Sequence, residues 1–436
     1  MRSLVMSLVL LTTAVGCAVS SADPGSANAD IVAAPAELAL APSLPDYCSG
    51  PEVVRISRPV AAGDTRTFRY GFRYKAPSSP TAPVVVFLPG GPGQGSMENG
   101  ADWVPADWGY LNTDPRGVGC NTLANVPAGE DAARFFTTEE LTADVIASIE
   151  DRKLTNYVIF GVSYGTLLGT TLAHHLEAQH VPAPKAVVLE GVLGKAFGKT
   201  DSDFAGENYI TQFERLRTVL PPDVLTELDT SATPFGLTPE EITRAMAALM
   251  PASIGTAASQ LYSLSKTAEG VTEEARAQAF QTLKSLGDTL QLSSPSEVAL
   301  YRNIACREIM DTVPASDMDV VFRAGHLVRN TAEEGTKCKE LHVTNPFDSA
   351  KLPFSAKVYY FLGENDVATP PWQGNYNYEH HVGSAVKVTT SKGGHNSLRF
   401  NQQECTPKVM ASIAAGGSDL EAVLATCPLP VSVEKK

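Results

Sequence analysis

The chain has 436 residues, of which 43% are hydrophobic and 19% are charged, as in an ordinary globular protein with a large core. A formal net charge of −14 and the lack of any basic stretch exclude nucleic acid as an expected partner. This length suits either one large domain with an insertion or two domains.

The N-terminal segment, residues 1–22, is predicted to be a signal peptide. Its apolar stretch, Leu4–Val15, is too short to span a membrane. Cleavage before Cys17 would leave a lipid-anchored lipoprotein, whereas cleavage near residues 20–22 would leave a freely secreted protein. Both alternatives predict export, to the extracellular space or to the cell envelope, and a lipid on Cys17 is the one membrane attachment expected. Residues 23–46, rich in Ala, Pro and Ser, are expected to form a flexible tether.

The number of cysteines agrees with export. There are seven, and setting Cys17 aside leaves six, an even number that predicts three disulfides in an exported chain. Six cysteines allow 15 pairings. We expect neighbours along the chain to pair, which gives Cys48–Cys120, Cys306–Cys338 and Cys405–Cys427. Six buried thiols are the alternative, and they suit an oxidising compartment less well. No metal site is expected, because the chain contains no C-x-x-C or H-E-x-x-H motif.

Apolar runs short enough to be buried strands alternate with helical patterns along most of the chain. After a predicted strand pair within 53–74, the runs are 84–88, 108–112, 156–161, 186–190, 357–362 and 385–390. This alternation predicts an α/β fold with a mostly parallel central sheet, closed by a helix near residue 409. No such run occurs from about residue 193 to 345, where helical patterns dominate. The predicted parts are therefore a first core segment, a helical cap insertion and a second core segment, at 47–192, 193–350 and 351–436.

A G-x-S-x-G sequence, Gly161–Gly165, lies where a predicted strand meets a predicted helix. Such a turn holds its serine, here Ser163, in a strained conformation above the sheet, and its glycines let the strand and the helix approach. The motif also occurs by chance at glycine-rich turns. Ser163 nevertheless follows the carboxyl end of a strand, where α/β sheets bind ligands, and it is the candidate nucleophile.

A serine nucleophile needs a base and an acid that orients the base. Of the eight histidines, only His395 directly follows the carboxyl end of a predicted sheet strand. Asp366 follows the preceding strand in the same way, and the order Ser, Asp, His is that of an α/β-hydrolase triad. Glu190, at the end of the strand after the nucleophile, is the rival acid. We predict Ser163, Asp366 and His395 to be the catalytic residues.

The glycine-rich segment Gly90–Gly93 follows the strand at 84–88 and has three interpretations. It is a simple turn, or it supplies the Gly91 N–H to an oxyanion hole together with the N–H of Tyr164, or it begins a dinucleotide-binding fingerprint. The fingerprint is disfavoured because no third glycine stands at the required offset and no helical pattern follows. We prefer the oxyanion hole and expect no cofactor.

Four motifs occur in one register: Gly90–Gly93, Asp114–Gly119, Gly161–Thr166, and Asp366 followed by Thr369-Pro370 and His395. Together they resemble the proline iminopeptidase/tripeptidyl aminopeptidase family of α/β-hydrolase serine peptidases. The resemblance covers roughly residues 48–430 apart from the insertion, and the closing Cys405–Cys427 segment resembles the secreted tripeptidyl-aminopeptidase branch. It implies the α/β-hydrolase fold, the triad and oxyanion donors named above, and a cap formed by the insertion.

Members of this family hold the free α-amine of the substrate with acidic groups. The resemblance makes Glu308 the candidate for that role, with Glu190 second, and the alternative for Glu308 is a solvated helix carboxylate. It also implies that Asp114 and Arg116 are structural. Pro89 stands where proline iminopeptidases have His, which argues against strict proline specificity.

The expected function is that of an exported, monomeric serine hydrolase. Its resemblance indicates an aminopeptidase that releases amino acids or short peptides from free N-termini, so peptides with a free N-terminus are the expected partners. One alternative is a carboxylic ester hydrolase, such as an esterase or lipase, with the same triad. A more remote alternative is an inactive binding protein built on the hydrolase scaffold.

Overall fold

The computed structural model describes residues 36–197, 218–231, 254–264, 270–289, 294–309, 319–321, 327–330, 344–366, 368–399 and 401–436. The predicted signal peptide, with Cys17, and the predicted disulfide partner Cys338 lie outside these residues. Within the ranges described, no helix is long and apolar enough to cross a membrane.

Ten of the described strands form one sheet. The strands are β1 (Glu37–Leu38), β2 (Val53–Pro59), β3 (Thr67–Lys75), β4 (Val84–Leu88), β5 (Gly109–Thr113), β6 (Tyr157–Val162), β7 (Ala186–Glu190), β8 (Asp319–Val321), β9 (Leu327–Asn330), β10 (Val358–Gly363), β11 (Ala385–Thr390) and β12 (Val431–Lys435). The order in the sheet is β1-β3-β5-β4-β6-β7-β10-β11-β12, with β2 also paired to β3. β8 and β9 form a separate antiparallel pair.

The centre of this sheet is parallel, which confirms the predicted fold class. β5, β4, β6, β7, β10 and β11 pair in parallel, and the antiparallel pairs are β2 with β3, β3 with β5 and β11 with β12. The predicted strands at 84–88, 186–190 and 385–390 have the observed bounds, and the other predicted central runs are displaced by one residue. The carboxyl ends of the parallel strands meet at one edge, where ligands bind in such sheets.

The described α-helices lie between β5 and β12 along the chain. They are α1 (Gly129–Phe135), α2 (Thr138–Asp151), α3 (Tyr164–Ala178), α4 (Pro222–Thr230), α5 (Ile254–Leu264), α6 (Glu273–Thr289), α7 (Pro295–Ile304), α8 (Pro371–His380), α9 (Thr406–Ala414) and α10 (Leu420–Leu424). The side chain of Thr137 caps α2 by accepting the N–H of Glu140. The described parts of the predicted insertion are α4 to α7, a π-helix at Ala305–Ile309 and the short strands β8 and β9. The insertion was predicted to be mostly helical, and β8 and β9 are short antiparallel strands within it.

Both faces of the sheet are covered, which explains why its central strands are unbroken apolar runs. In β4, Val84, Val86 and Leu88 pack into a core that side chains of α2 and α3 complete. Val85 and Phe87 face the opposite way and pack into a second core closed by α9 and α10.

The two terminal strands extend the sheet beyond the prediction. β1 pairs with β3, and Leu40 bridges Leu123, so the predicted tether lies on the domain from residue 36 onward. β12 pairs antiparallel with β11 after the helix that was expected to close the domain. β1 and β12 are both short, and each pairs with a strand that is distant in sequence. No local pattern in their own residues therefore predicts them.

Two of the three predicted disulfides are present in the described residues. Cys48 is bonded to Cys120 and Cys405 to Cys427, with Cα–Cα distances of 5.2 and 5.7 Å. Cys306 is also disulfide-bonded, and its predicted partner lies outside the described residues. Disulfides of this kind are compatible with an extracellular protein.

Candidate active site

Ser163 occupies the tight turn between β6 and α3. Its backbone has φ 56° and ψ −123°, a conformation that residues other than glycine rarely adopt. A β-carbon on Gly161 would lie 2.2 Å from the carbonyl oxygen of Gly165, and one on Gly165 would lie 2.1 Å from that of Leu88. Strand, turn and helix therefore approach more closely than a side chain at either position permits, which is the reason for the two glycines.

The glycine-rich segment after β4 lies against this serine. A β-carbon on Gly90 would lie 3.1 Å from Cβ of Ser163. Gly91 has φ 112°, a conformation suited to glycine. Tyr164 is the first residue of α3, so the helix itself provides no partner for its N–H. The Gly91 and Tyr164 amides thus belong to the two segments that border Ser163, and their role as oxyanion donors stays a prediction.

Asp366 and His395 meet beyond the carboxyl ends of β10 and β11. Nδ1 of His395 lies 2.9 Å from Oδ2 of Asp366. The other carboxylate oxygen, Oδ1, accepts the N–H groups of Ala368 and Thr369, each at 2.9 Å. The Thr369 hydroxyl donates to Oδ2 at 2.7 Å. The turn that follows Asp366 therefore fixes its carboxylate while one oxygen contacts the imidazole.

The end of β7 lies against both Ser163 and His395. The carbonyl oxygen of Glu190 accepts the N–H of Ser163 at 2.9 Å. The next residue, Gly191, packs so closely on the imidazole that a β-carbon there would lie 2.7 Å from Cε1 of His395. Two consecutive residues thus contact the backbone of the predicted nucleophile and the ring of the predicted base. Ser163, Asp366 and His395 follow β6, β10 and β11 at one edge of the sheet.

The charges around His395 favour its protonated form. Burial by itself lowers the pKa of this imidazole, but the charge and hydrogen bond of Asp366, and then the charge of Glu190, outweigh that effect. The charge of Arg399 opposes them, and the pKa of His395 is on balance raised above its ordinary value. A histidine held at Nδ1 by a carboxylate is suited to take a proton at Nε2.

The Glu190 carboxylate binds the loop that follows His395. Oε1 accepts the N–H of Leu398 at 2.6 Å and that of Arg399 at 2.8 Å, and Oε2 lies 3.2 Å from Nε of Arg399. The Arg399 guanidinium in turn lies over the rings of Phe87, Trp103 and Phe160. Asp366, and not its rival Glu190, therefore holds the ring of His395. A role for Glu190 in substrate binding stays a prediction.

Glu308 lies in the π-helix and is buried, unlike the solvated helix carboxylate considered as its alternative. Its Oε1 accepts the N–H of Thr138, the first residue of α2, at 3.0 Å, and its Oε2 accepts the Thr138 hydroxyl. That hydroxyl lies 2.9 Å from the phenol oxygen of Tyr164. Burial raises the pKa of Glu308 to about 7, although the hydrogen bonds from Thr138 lower it. The insertion thus provides a buried carboxyl group that is linked, through the Thr138 hydroxyl, to the side chain of Tyr164, the residue after Ser163.

Asp114 and Arg116 hold the turn after β5. Asp114 accepts the backbone N–H groups of Ser96 and Cys120, at 2.8 and 3.0 Å. Arg116 is fully buried and pairs with Asp144 of α2 at 2.8 Å. Both side chains form internal bonds of the structural kind that the resemblance implies.

A sequence profile of the α/β-hydrolase fold matches residues 83–401. The chain belongs to the α/β-hydrolase family. The match extends from the start of β4 to the loop after His395, so it includes every predicted catalytic position, and this fold supports a hydrolase enzyme. No curated protein sequence matches this hydrolase. Within the ranges that the structure describes, no three His, Cys, Asp or Glu side chains form a metal-binding group.

Solved structures similar to this hydrolase include a peptidase, an esterase and a thioesterase. Proline iminopeptidase from Mycobacterium smegmatis is 16% identical, with 84% of this chain and 100% of that chain covered and a TM-score of 0.41. The esterase RhEst1 from Rhodococcus sp. ECU1013 is 14% identical, with 83% and 98% covered and a TM-score of 0.43. The type II thioesterase BorB from the borrelidin biosynthetic cluster is 16% identical, with 79% and 97% covered and a TM-score of 0.38.

Four residues at the site of this hydrolase were not among the predicted ones. They are Thr138, Gly191, Thr369 and Arg399. Thr369 has a sequence signal, because it belongs to the motif that carries the resemblance and because a turn aspartate commonly accepts a backbone N–H about two residues on. The other three reach the site from distant positions or through tertiary contacts, and their neighbouring residues do not mark them.

Proposed function

We propose that this α/β-hydrolase is an exported serine aminopeptidase that acts through a Ser163 acyl-enzyme. The hydrogen bond between His395 Nδ1 and Asp366 Oδ2 carries the proposal, since it forms beside the strand end that also binds the N–H of Ser163. A nucleophile, a base and an orienting acid after three strands of one sheet are the parts of a hydrolytic triad.

In the proposed reaction, Oγ of Ser163 attacks the scissile carbonyl carbon while its proton passes to Nε2 of His395. The N–H groups of Gly91 and Tyr164, at the positive end of α3, stabilise the negative oxygen. The C–N bond then breaks as His395 gives the proton to the leaving amine. Water that loses a proton to His395 hydrolyses the ester and releases the N-terminal fragment. Asp366 keeps the tautomer in which Nε2 is the acceptor and stabilises the imidazolium.

The buried carboxyl group of Glu308 supports a substrate that carries a free α-amine. A free amine one to three residues away from the scissile carbonyl lies roughly 4 to 10 Å from it. Glu308 is linked through Thr138 to Tyr164, the neighbour of Ser163. A substrate ammonium at this carboxylate would form a charge-assisted hydrogen bond away from water, where such bonds are strong.

Export rests on the predicted signal peptide and is compatible with the two disulfides seen in the described residues. The released enzyme would be either freely secreted or held at the cell envelope by a lipid on Cys17.

The substrate class is tested with arylamides of one to three residues that carry either a free or an acetylated N-terminus, beside short acyl esters. We expect the free-amine arylamides to be cleaved at least about 100-fold faster than the acetylated ones, because a site that pairs the amine rejects an analogue without it. Glu308→Gln should raise KM for the free-amine substrates alone. Equal rates on free and blocked substrates would instead favour an ester hydrolase.

The nucleophile is tested with a fluorophosphonate label on the same samples. Ser163→Ala should lose the label and about 10⁶-fold in kcat. Ser259→Ala, at an exposed position of α5, is the matched control, and it should keep the label and the wild-type kcat. A wild-type protein that resists the label would favour the inactive scaffold.

A further inference from the structure

Glu190 is bonded to both halves of the proposed active site. Its carbonyl oxygen accepts the N–H of Ser163 at 2.9 Å, and its carboxylate accepts the consecutive N–H groups of Leu398 and Arg399 at 2.6 and 2.8 Å. Its side chain is fully buried, with 0% exposure. Water therefore has no access through which to replace these bonds.

We propose that Glu190, paired with Arg399, is a positioning residue that holds the turn at Ser163 (the Ser163 turn) in register with residues 394–399 (the His395 loop). The inference rests on the proposed triad and adds a residue that the triad does not contain. Asp366 orients the ring of His395, whereas Glu190 fixes the backbone that carries the ring.

A charged group suits this task better than a neutral one. Hydrogen bonds from N–H groups to a carboxylate are shorter and stronger than those to an amide oxygen. A carboxylate that is fully buried requires a partner, and Arg399 supplies it at 3.2 Å. Arg399 is itself held, since its guanidinium lies 4.7, 5.4 and 5.8 Å from the ring centroids of Phe87, Trp103 and Phe160. The His395 loop is thereby anchored to β4, β6 and β7 as well as to β10.

The pair also acts on His395 electrostatically, with opposite signs. Among the described residues, the charged groups with the largest effects are Asp366 after β10, Glu190 at the end of β7 and Arg399 in the loop itself. The charge of Glu190 raises the pKa of His395, and the charge of Arg399 lowers it. Removal of one partner should therefore move the histidine in one direction, and removal of the other should move it in the opposite direction.

The test uses Glu190→Gln, Arg399→Gln and the double variant, in the full mature protein. The pKa of His395 is followed by NMR of ¹³C-labelled histidine, with the signal assigned from its loss in His395→Gln, and kcat/KM is measured against pH. We expect Glu190→Gln to lower the pKa by roughly half a pH unit, Arg399→Gln to raise it by a similar amount, and the double variant to return near the wild-type value. Glu190→Gln should also lose about 10- to 100-fold in kcat, because the loop is less well placed.

Glu364→Gln is the matched control. Glu364 is exposed, and its carboxylate accepts the N–H of Lys392 at 3.0 Å, so it binds the chain just before His395 as Glu190 binds it just after. This variant should leave the pKa of His395 unchanged, because water screens its charge.

Shifts in the same direction for Glu190→Gln and Arg399→Gln, or no shift in either, would overturn the inference. The Arg399 side chain is 22% exposed, so Arg399→Gln is expected to fold. This variant therefore tests the direction of the pKa shift even if Glu190→Gln does not fold. The NMR titration needs no turnover. If wild-type Ser163 resists the fluorophosphonate, the proposed function fails, while the titration still shows whether Glu190 and Arg399 act on His395.

Discussion

The Ser163 turn and the His395 loop hold their side chains by different means. The turn is shaped by its own backbone, because Gly161 and Gly165 allow contacts that no β-carbon permits. The loop, residues 394–399, is held by side chains from elsewhere, namely Asp366, Glu190 and Asn401, whose Oδ1 accepts the N–H of Gly394 at 2.7 Å. The bond between Glu190 and the Arg399 N–H joins residues 209 positions apart. A local motif therefore positions the predicted nucleophile, whereas tertiary contacts position the predicted base.

This difference predicts different failures. A change in the loop should leave a folded protein with a misplaced or wrongly protonated histidine. A change in the turn should destabilise the protein, because β4, β6 and α3 meet there without space to relax.

Between turn and loop, the larger effect is expected in the loop, from Asp366→Asn. An amide neither stabilises the imidazolium nor keeps the required tautomer of His395, so kcat should fall by about 10⁴-fold. The midpoint of urea unfolding should change little. The measurements are kcat with a free-amine arylamide and urea unfolding, and Asp107→Asn in an exposed loop is the control. Retention of activity within tenfold of wild type would contradict the role of Asp366.

A smaller effect is expected from Gly165→Ala in the turn, and it should appear as a loss of stability. The new methyl group would lie 2.1 Å from the Leu88 carbonyl oxygen, so strand and helix must separate, at about 3 kcal/mol or more. Gly169→Ala is the matched control four residues along α3, where the nearest atom is a Leu189 methyl carbon at 3.2 Å. Urea unfolding of both variants measures the contrast, and equal stabilities would show that the turn is more adaptable than its contacts indicate.

Glu308 joins the insertion to α2 through its bonds to Thr138. Burial raises the pKa of its carboxyl group to about 7 from the ordinary value of 4.5, so the folded protein holds a proton that the unfolded chain has already released between those pH values. The stability due to this group is complete below pH 4.5 and is lost as the pH rises through about 7. A shift of this size corresponds to about 3 kcal/mol.

Glu308→Gln removes this titration. Relative to wild type, its free energy of unfolding should therefore rise by up to about 3 kcal/mol between pH 5 and pH 8. Urea unfolding at several pH values within this range measures the difference. Glu130→Gln, at an exposed position of α1, should show a constant difference from wild type. A constant difference for Glu308→Gln as well would show that its carboxyl group is not buried in solution.

The sheet and the tight turn at Ser163 were predictable from sequence because their signals are local. Strands covered on both faces are unbroken apolar runs, as in Val84–Leu88, and a strained turn between strand and helix requires the glycines around Ser163. The meeting of His395 and Asp366 was also predictable, since each follows the carboxyl end of such a strand.

The contacts that connect these parts were not predictable from sequence. Glu190 was considered as a rival acid, and nothing near it in sequence indicates that it binds the loop at 398–399. The burial of Glu308 likewise depends on Thr138, which lies 170 positions away. β1 and β12 are short strands, and their positions depend on pairing with β3 and β11 and not on a pattern in their own residues.

The last strand also bears on how the enzyme can be handled. β12 pairs along the whole of β11 except its first residue, and the backbone of Lys436 exchanges two hydrogen bonds with Ala385 at the start of that strand. β11 leads into His395. β12 therefore supports the strand that leads to the predicted catalytic base, and fusion or immobilisation chemistry attached to residues 431–436 would strain the candidate active site.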